Sequence, residues 1–243
     1  MVCVRGFLST FENLKNQHKV SLQALDLPNC HSSILTKLAI AEKRLNDLLS
    51  IKEWAFPTGS LSNATAISGT TIATTYPVSS PVIEVAGNLD DFFSNLTSSF
   101  EMLGQTINLV HIDPPLNKNR VTFYKIVTLM RRTKPAAILT ANLNLFTNSQ
   151  WFKDMKGFRK CSYHQKKIPW KVSMEYTNMQ ATFFPQVSEI LVADNPFSNN
   201  PTYTQKRNIK VFCLAIFQSS LITIDKSFEI MEIEARNADR IPV

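Results

Sequence analysis

An α+β fold is what the sequence predicts: a helical N-terminal arm, then a mainly antiparallel β domain of sandwich or jelly-roll kind with one or two short helices. Three observations predict it. Ile34, Leu38, Ala41, Leu45 and Leu48 step by four, three, four and three, the spacing of a helix with one apolar stripe. The run IPWKVSMEY at 168–176 alternates apolar and polar positions, the period of a half-buried strand. Between these regions, TGSLSNATAISGTTIATTYPVSS at 58–80 carries eleven Ser or Thr and no charge.

In chain order, the arm covers residues 1–56. Phe11, Leu14, Leu22 and Leu25 suggest a first helix near 9–25, and Pro28-Asn29 breaks it. Ser32 or Ser33 caps a second helix running to about Trp54. Its stripe predicts self-association through Ile34, Leu38, Leu45 and Leu48, or packing on its own domain. The connector, 57–82, reads as a flexible linker or as an extended arm along a sheet. Leu61, Ile67, Ile72 and Val78 weigh against a purely solvated linker.

The third region, 83–243, opens with a helix from Leu89 to Leu103, started by Asn88 and Asp91 and stopped by Gly104. Strand-like runs follow at Thr106–Ile112, Val121–Met130, Ala137–Phe146, Ile168–Tyr176, Ser188–Val192 and Ile209–Phe217. NSQWFKDMKG reads as a short helix ending at Gly157, and ADNPFSNNPTY as a loop. Between Phe228 and Ala235 the pattern does not choose between strand and helix.

Composition narrows the chemistry. With 243 residues, 44% of them hydrophobic and 19% charged, the chain can build a real core. It holds six glycines, where average usage would give roughly 17. No G-x-G-x-x-G or G-x-x-x-x-G-K-[ST] occurs, which lowers the prospect of a nucleotide-dependent enzyme. There is no G-x-S-x-G and no H-E-x-x-H, and four scattered histidines offer little for acid–base work. No catalytic residue, cofactor or metal is therefore expected. Cys161-x-x-His164 with Cys30-His31 supplies four zinc-ligating side chains, but not at the spacing of a zinc finger. No run of about 18 apolar residues and no signal-peptide core appear, so a cytoplasmic, non-secreted protein with reduced thiols is expected, with or without attachment to membranes.

Charge is the strongest signal. From Lys118 to Lys171 there are thirteen Lys or Arg against one acid, Asp154, while the remaining residues hold 13 basic and 18 acidic groups. The excess of a chain at +7 thus lies in one block. Arg120, Lys125, Arg131, Arg132 and Lys134 bracket VTFYKIVTLM; Lys153, Lys156, Arg159, Lys160, Lys166, Lys167 and Lys171 cluster around KGFRKCSYHQKKIPWKV. Such a one-signed surface binds phosphates and releases their counterions. Phe158 and Tyr163 lie among the charges, placed to stack on unpaired bases. An anionic membrane leaflet would attract the same cations.

Two resemblances bear on function. INLVHIDPPLNKN ends in Asp113-Pro114-Pro115 and resembles the D-P-P-[YFW] motif of amino-methyltransferases, with Leu116 where the family has an aromatic. In layout, the helical arm, uncharged connector and basic β-rich domain are similar to small virus-encoded proteins: jelly-roll coat proteins, plant-virus movement proteins and matrix proteins. That resemblance implies single-stranded RNA binding, self-association and contact with host membranes. The central position of the basic block favours a movement or matrix role over an icosahedral coat. Non-enzymatic, self-associating nucleic-acid binding is thus the first expectation, a matrix-like membrane protein the second, and a methyltransferase-like enzyme the third.

Overall fold

The computed structural model describes residues 27–51, 64–67, 70–73, 80–133, 136–163, 168–179 and 182–238. The helix expected at 9–25 lies outside them. Within them the fold is mainly helical, which overturns the expected β-rich domain. Six α-helices are present among the described residues: α1 (Leu27–Ser50), α2 (Ser80–His111), α3 (Phe123–Thr133), α4 (Ala137–Thr147), α5 (Gln150–Tyr163) and α6 (Ile209–Ala238). A short 3-10 turn, Lys118–Arg120, precedes α3. Five strands, β1 (Ala64–Ile67), β2 (Thr70–Ala73), β3 (Trp170–Met179), β4 (Thr182–Val192) and β5 (Arg207–Asn208), form one sheet in sequence order, antiparallel throughout.

The corrections have a common physical cause. From Phe123 to Met130 the buried side chains are Phe123, Ile126, Val127 and Met130, a spacing of three, one and three that only a helix places on one face. Ala137–Phe146 buries Leu139, Leu143 and Phe146, again helical. Ile209–Phe217 is apolar on nearly every side, so its period could not separate a buried strand from the start of a 30-residue helix. Thr106–Ile112 lies almost wholly in the last turns of α2. Of the predicted strands, Ile168–Tyr176 and Ser188–Val192 fall in or against β3 and β4. Without a β core, the layout shared with coat and movement proteins loses its footing.

Element ends also move. Pro28 does not break a helix; it sits in the first turn of α1, where its missing N–H is no loss. Gly157 lies inside α5 rather than at its end. The connector contains β1 and β2, a hairpin whose second strand pairs with β3.

The chain divides into two compact units, each assembled from separate stretches. The first comprises residues 1–40, 95–154 and 216–243, and the second 41–94 and 155–215. In the first, Phe100, Phe123, Phe146, Trp151 and Phe152 form one aromatic cluster, with ring centroids 5.3–6.4 Å apart in the contacting pairs. In the second, Phe93 stacks on Phe158 at 5.0 Å, and Phe212 meets Phe158 edge-on at 5.3 Å. The sheet belongs wholly to the second unit.

Residues Ile209–Glu234 of α6 are long and apolar enough to cross a membrane by length and composition. That helix is buried along one side only, with Val211 and Ile222 at 68% and 70% exposure. Ile216, Ile224, Phe228 and Met231 are fully or nearly fully buried, and Asp225, Lys226, Glu229 and Glu232 interrupt its apolar run.

Gly104 sits in the interior of α2 instead of ending it, and its role is steric. A Cβ there would lie 2.8 Å from the Cα of Phe123, so the start of α3 can approach α2 only over a bare backbone. Gly104→Ala is therefore expected to destabilise the protein by about 1–3 kcal/mol through overpacking. Gly87, in the same helix, has nothing within 4 Å of its absent Cβ. Gly87→Ala is expected to stabilise by about 0.4–1 kcal/mol, and urea unfolding of the two variants checks both signs.

Candidate functional site

The cations of the basic block divide between the two units. In the second, several are already engaged. The Lys160 ammonium lies 5.1 Å from the centre of the Phe197 ring, and that of Lys171 lies 4.4 Å from Tyr203. Burial lowers the Lys171 pKa, while Asp194 acts in the opposite sense. Asp194 organises the loop after β4, accepting hydrogen bonds from Thr204 Oγ1 (2.9 Å) and the Gln205 amide (3.2 Å). Burial alone would raise its carboxyl; these donors and the Arg207 charge outweigh that and hold it below the usual range.

Two expected contributions fail on placement. Phe158 is fully buried against Phe93, so its ring offers no face to a base. Ile34, Leu38, Leu45 and Leu48 are at most 3% exposed, so the stripe on α1 is spent on the chain's own core and is not a seam for a second copy. Lys156 is exposed and Arg159 half-buried on α5, and Tyr163 closes that helix. Lys134, Lys166 and Lys167 lie outside the described residues.

The first unit holds the more open arrangement. Thr122 caps α3, its Oγ1 accepting from the Lys125 amide at 3.3 Å. Glu101, on α2, accepts the Phe123 amide at 2.7 Å. With Phe123, Ile126, Val127 and Met130 facing inward, Tyr124 and Lys125 project outward with Arg132, and Arg120 precedes them. Tyr124 is 51% exposed. Arg131 is different: it donates through Nε to Asn144 and through a terminal nitrogen to Thr147 at 3.0 Å, tying α3 to α4. Along α4, Ile138, Ala141 and Leu145 fall on one stripe at i, i+3 and i+7, all exposed, with Leu145 at 76%. The segment from Pro114 to Lys153, which contains both helices, carries seven cations and no acid.

Sequence reasoning missed a half-buried acid–base pair beneath this hairpin. The backbone at Ala136 begins α4 without a side-chain cap. Glu234, far along α6, replaces it by accepting the Leu139 amide at 3.4 Å. The second carboxylate oxygen lies 3.8 Å from His111 Nε2, and neither of these two atoms has a hydrogen-bond partner. Burial drives the imidazole down to about 4. Burial also raises Glu234, opposed by the Leu139 and Ile138 amides. No pattern in the sequence links Glu234 with His111 or with Leu139, 95 positions away, so only the packing of α6 against α2 and α4 reveals the pair.

Two further motifs lose their context. Asp113-Pro114-Pro115 follows a helix rather than a strand, and Asn108 clamps the loop through both amide atoms to Leu116, at 2.9 and 3.0 Å. A small cavity of about 200 Å³ lies there, lined by Cys30, Gln105, Asn108, Leu116, Lys118 and Val121 among others. Cys30 donates to Gln105 Oε1 at 3.9 Å, and Cys161 to the Pro196 carbonyl at 3.3 Å. Cys213 is fully buried, which pushes its thiol far up. Among the described residues, no three His, Cys, Asp or Glu side chains gather as metal ligands.

The His111 environment sets a pH dependence with a definite sign. Its folded pKa lies below the unfolded value of 6.5, so the unfolded chain binds the extra proton between that pH and about 4. Stability present above pH 6.5 is thus lost as pH falls through this window, by at most about 3 kcal/mol. Chemical unfolding at a series of pH values should show His111→Gln flattening the curve. Glu234, being raised, acts in the opposite sense, so Glu234→Gln should steepen it. No family model, characterised protein or solved structure matches this chain.

Proposed function

We propose that the protein is a non-enzymatic polyanion-binding protein whose contact surface is α3 with the turn before it. One observation carries this reading: Arg120, Lys125 and Arg132 are exposed on a segment that holds no acid over forty residues. The acids nearest in sequence, Asp113 and Asp154, flank that segment. Cations with no acid in their own stretch of chain attract phosphate, and Glu101, which reaches the start of α3, is engaged by the Phe123 amide. The helix dipole of α3 also favours cations in its last turn, which accounts for Arg131 and Arg132 but not for Lys125 or Arg120.

Single-stranded RNA and an anionic membrane leaflet share the chemistry such a surface reads, closely spaced phosphates. Each engaged cation would contribute about 1 kcal/mol at a leaflet. On a single strand each would add roughly 0.7 to the log–log salt slope. Tyr124 is the exposed aromatic among the described cations of this helix and is placed to stack on a base or rest at a lipid interface.

The test compares charge reversals. Lys125→Glu with Arg132→Glu should weaken binding to a labelled RNA oligonucleotide or to anionic vesicles at least about tenfold at low salt. Lys226→Glu, at a cation already paired with Glu229 at 2.7 Å, should change it little. Equal losses at the two sites, or no binding of either probe by the parent protein, would sink the reading.

A further inference from the structure

The exposed face of α4 is not explained by polyanion binding. Ile138 is 55% exposed and Leu145 is 76% exposed, on an eleven-residue helix that contains no charged side chain at all. Solvated helix faces are normally charged or polar, and paired aliphatic side chains on one stripe signal a contact with something apolar. The neighbouring helix of the same unit supplies exposed Lys125 and Arg132, with Arg120 just before it. Arg131 brings its guanidinium to Asn144, the residue before Leu145. An uncharged apolar stripe on the helix next to these cations matches the layered chemistry of an anionic leaflet, acyl chains beneath and phosphates above; on α6, which touches α4 through Ser227 and Asn142, Glu229 is paired with Lys226.

We infer that α4 is a wedge that enters the head-group boundary of an anionic bilayer through Ile138 and Leu145, while the cations of α3 lie over the phosphates. The inference rests on the polyanion reading for its charge and adds the identity of the partner. At 1.5 Å per residue α4 is about 16 Å long, too short to span a hydrocarbon core near 30 Å, so it lies in the interface plane. Two other occupants fit less well. A nucleic-acid backbone offers aliphatic side chains nothing to contact. A second copy docked on this face about a two-fold axis would set Lys125 and Arg132 against their own counterparts, with no acid in the segment to neutralise them.

Flotation of the full chain with phosphatidylcholine vesicles, with and without phosphatidylserine, tests the inference beside anisotropy on a single-stranded RNA oligonucleotide. Ile138→Asn with Leu145→Asn is expected to reduce partitioning onto phosphatidylserine vesicles about tenfold and to leave RNA binding unchanged. Both positions are exposed, and circular dichroism checks that the fold is kept. Leu145→Trp should show a blue-shifted emission component on adding those vesicles. Unchanged partitioning of the double variant, or an unshifted tryptophan, overturns the wedge. Binding of RNA but not of vesicles by the parent protein overturns the wedge and leaves the polyanion reading standing. If neither probe binds, the polyanion reading has failed and the wedge with it. A parent protein whose mass in light scattering falls when Ile138 and Leu145 are replaced would assign the face to a second copy and likewise overturn the wedge.

Discussion

The seat of α3 on α2 is the constraint from which the first unit is built. An eleven-residue helix is marginal in water on its own, because nucleation costs more than its few hydrogen bonds return. Here α2 supplies what α3 lacks. Gly104 removes the side chain that would hold the helices apart, and Glu101, one turn earlier, takes up the Phe123 amide. Close approach then brings Phe123 to Phe100 at 5.6 Å and to Phe146 at 5.8 Å, which carries the aromatic cluster on into α4. α4 repeats the device with Glu234, a carboxylate borrowed from α6 where Ala136 has none to give. Both short helices thus begin on acids that belong to long ones.

That borrowing has an electrostatic side. The two capping acids point at backbone amides and spend their charge on helix N-termini. Neither lies in the segment from Pro114 to Lys153, which carries seven cations and no acid of its own. Packing and surface charge are therefore coupled: the interior acids seat the hairpin, and its outer faces are left to cations and aliphatic side chains.

How much of this was legible is best judged element by element. The stripe on α1 and the apolar face of α2 are plain in the sequence, and so is the alternation that becomes β3. The helical character of α3 was also there to be read, in the spacing of Phe123, Ile126, Val127 and Met130 and in Thr122 as a cap; β-branched content masked it. Asn208, which accepts the Lys210 amide at 2.9 Å, announces α6 in the same way. A chain with six glycines is also poorly supplied for the many tight turns of a sandwich. Other facts were not legible. Gly104 looks the same in sequence whether it stops a helix or admits a neighbour, and the pairing of Glu234 with Leu139 has no local trace. Within the basic block, sequence could not tell a cation tied down, such as Arg131, from one that faces solvent, such as Lys125.

The distance between Glu234 and the helix it caps has a consequence for synthesis. Leu139 leaves the ribosome 95 residues before its partner. At about 5–20 residues per second, α4 spends roughly 5 to 20 s without its carboxylate, its apolar stripe exposed and its N-terminal amides unmet. During that interval Leu139 and Leu143, buried once α4 is seated, are accessible to any chaperone or membrane near the growing chain. α4 can close onto its cap only after most of α6 has emerged, whereas α3 finds Glu101 already in place.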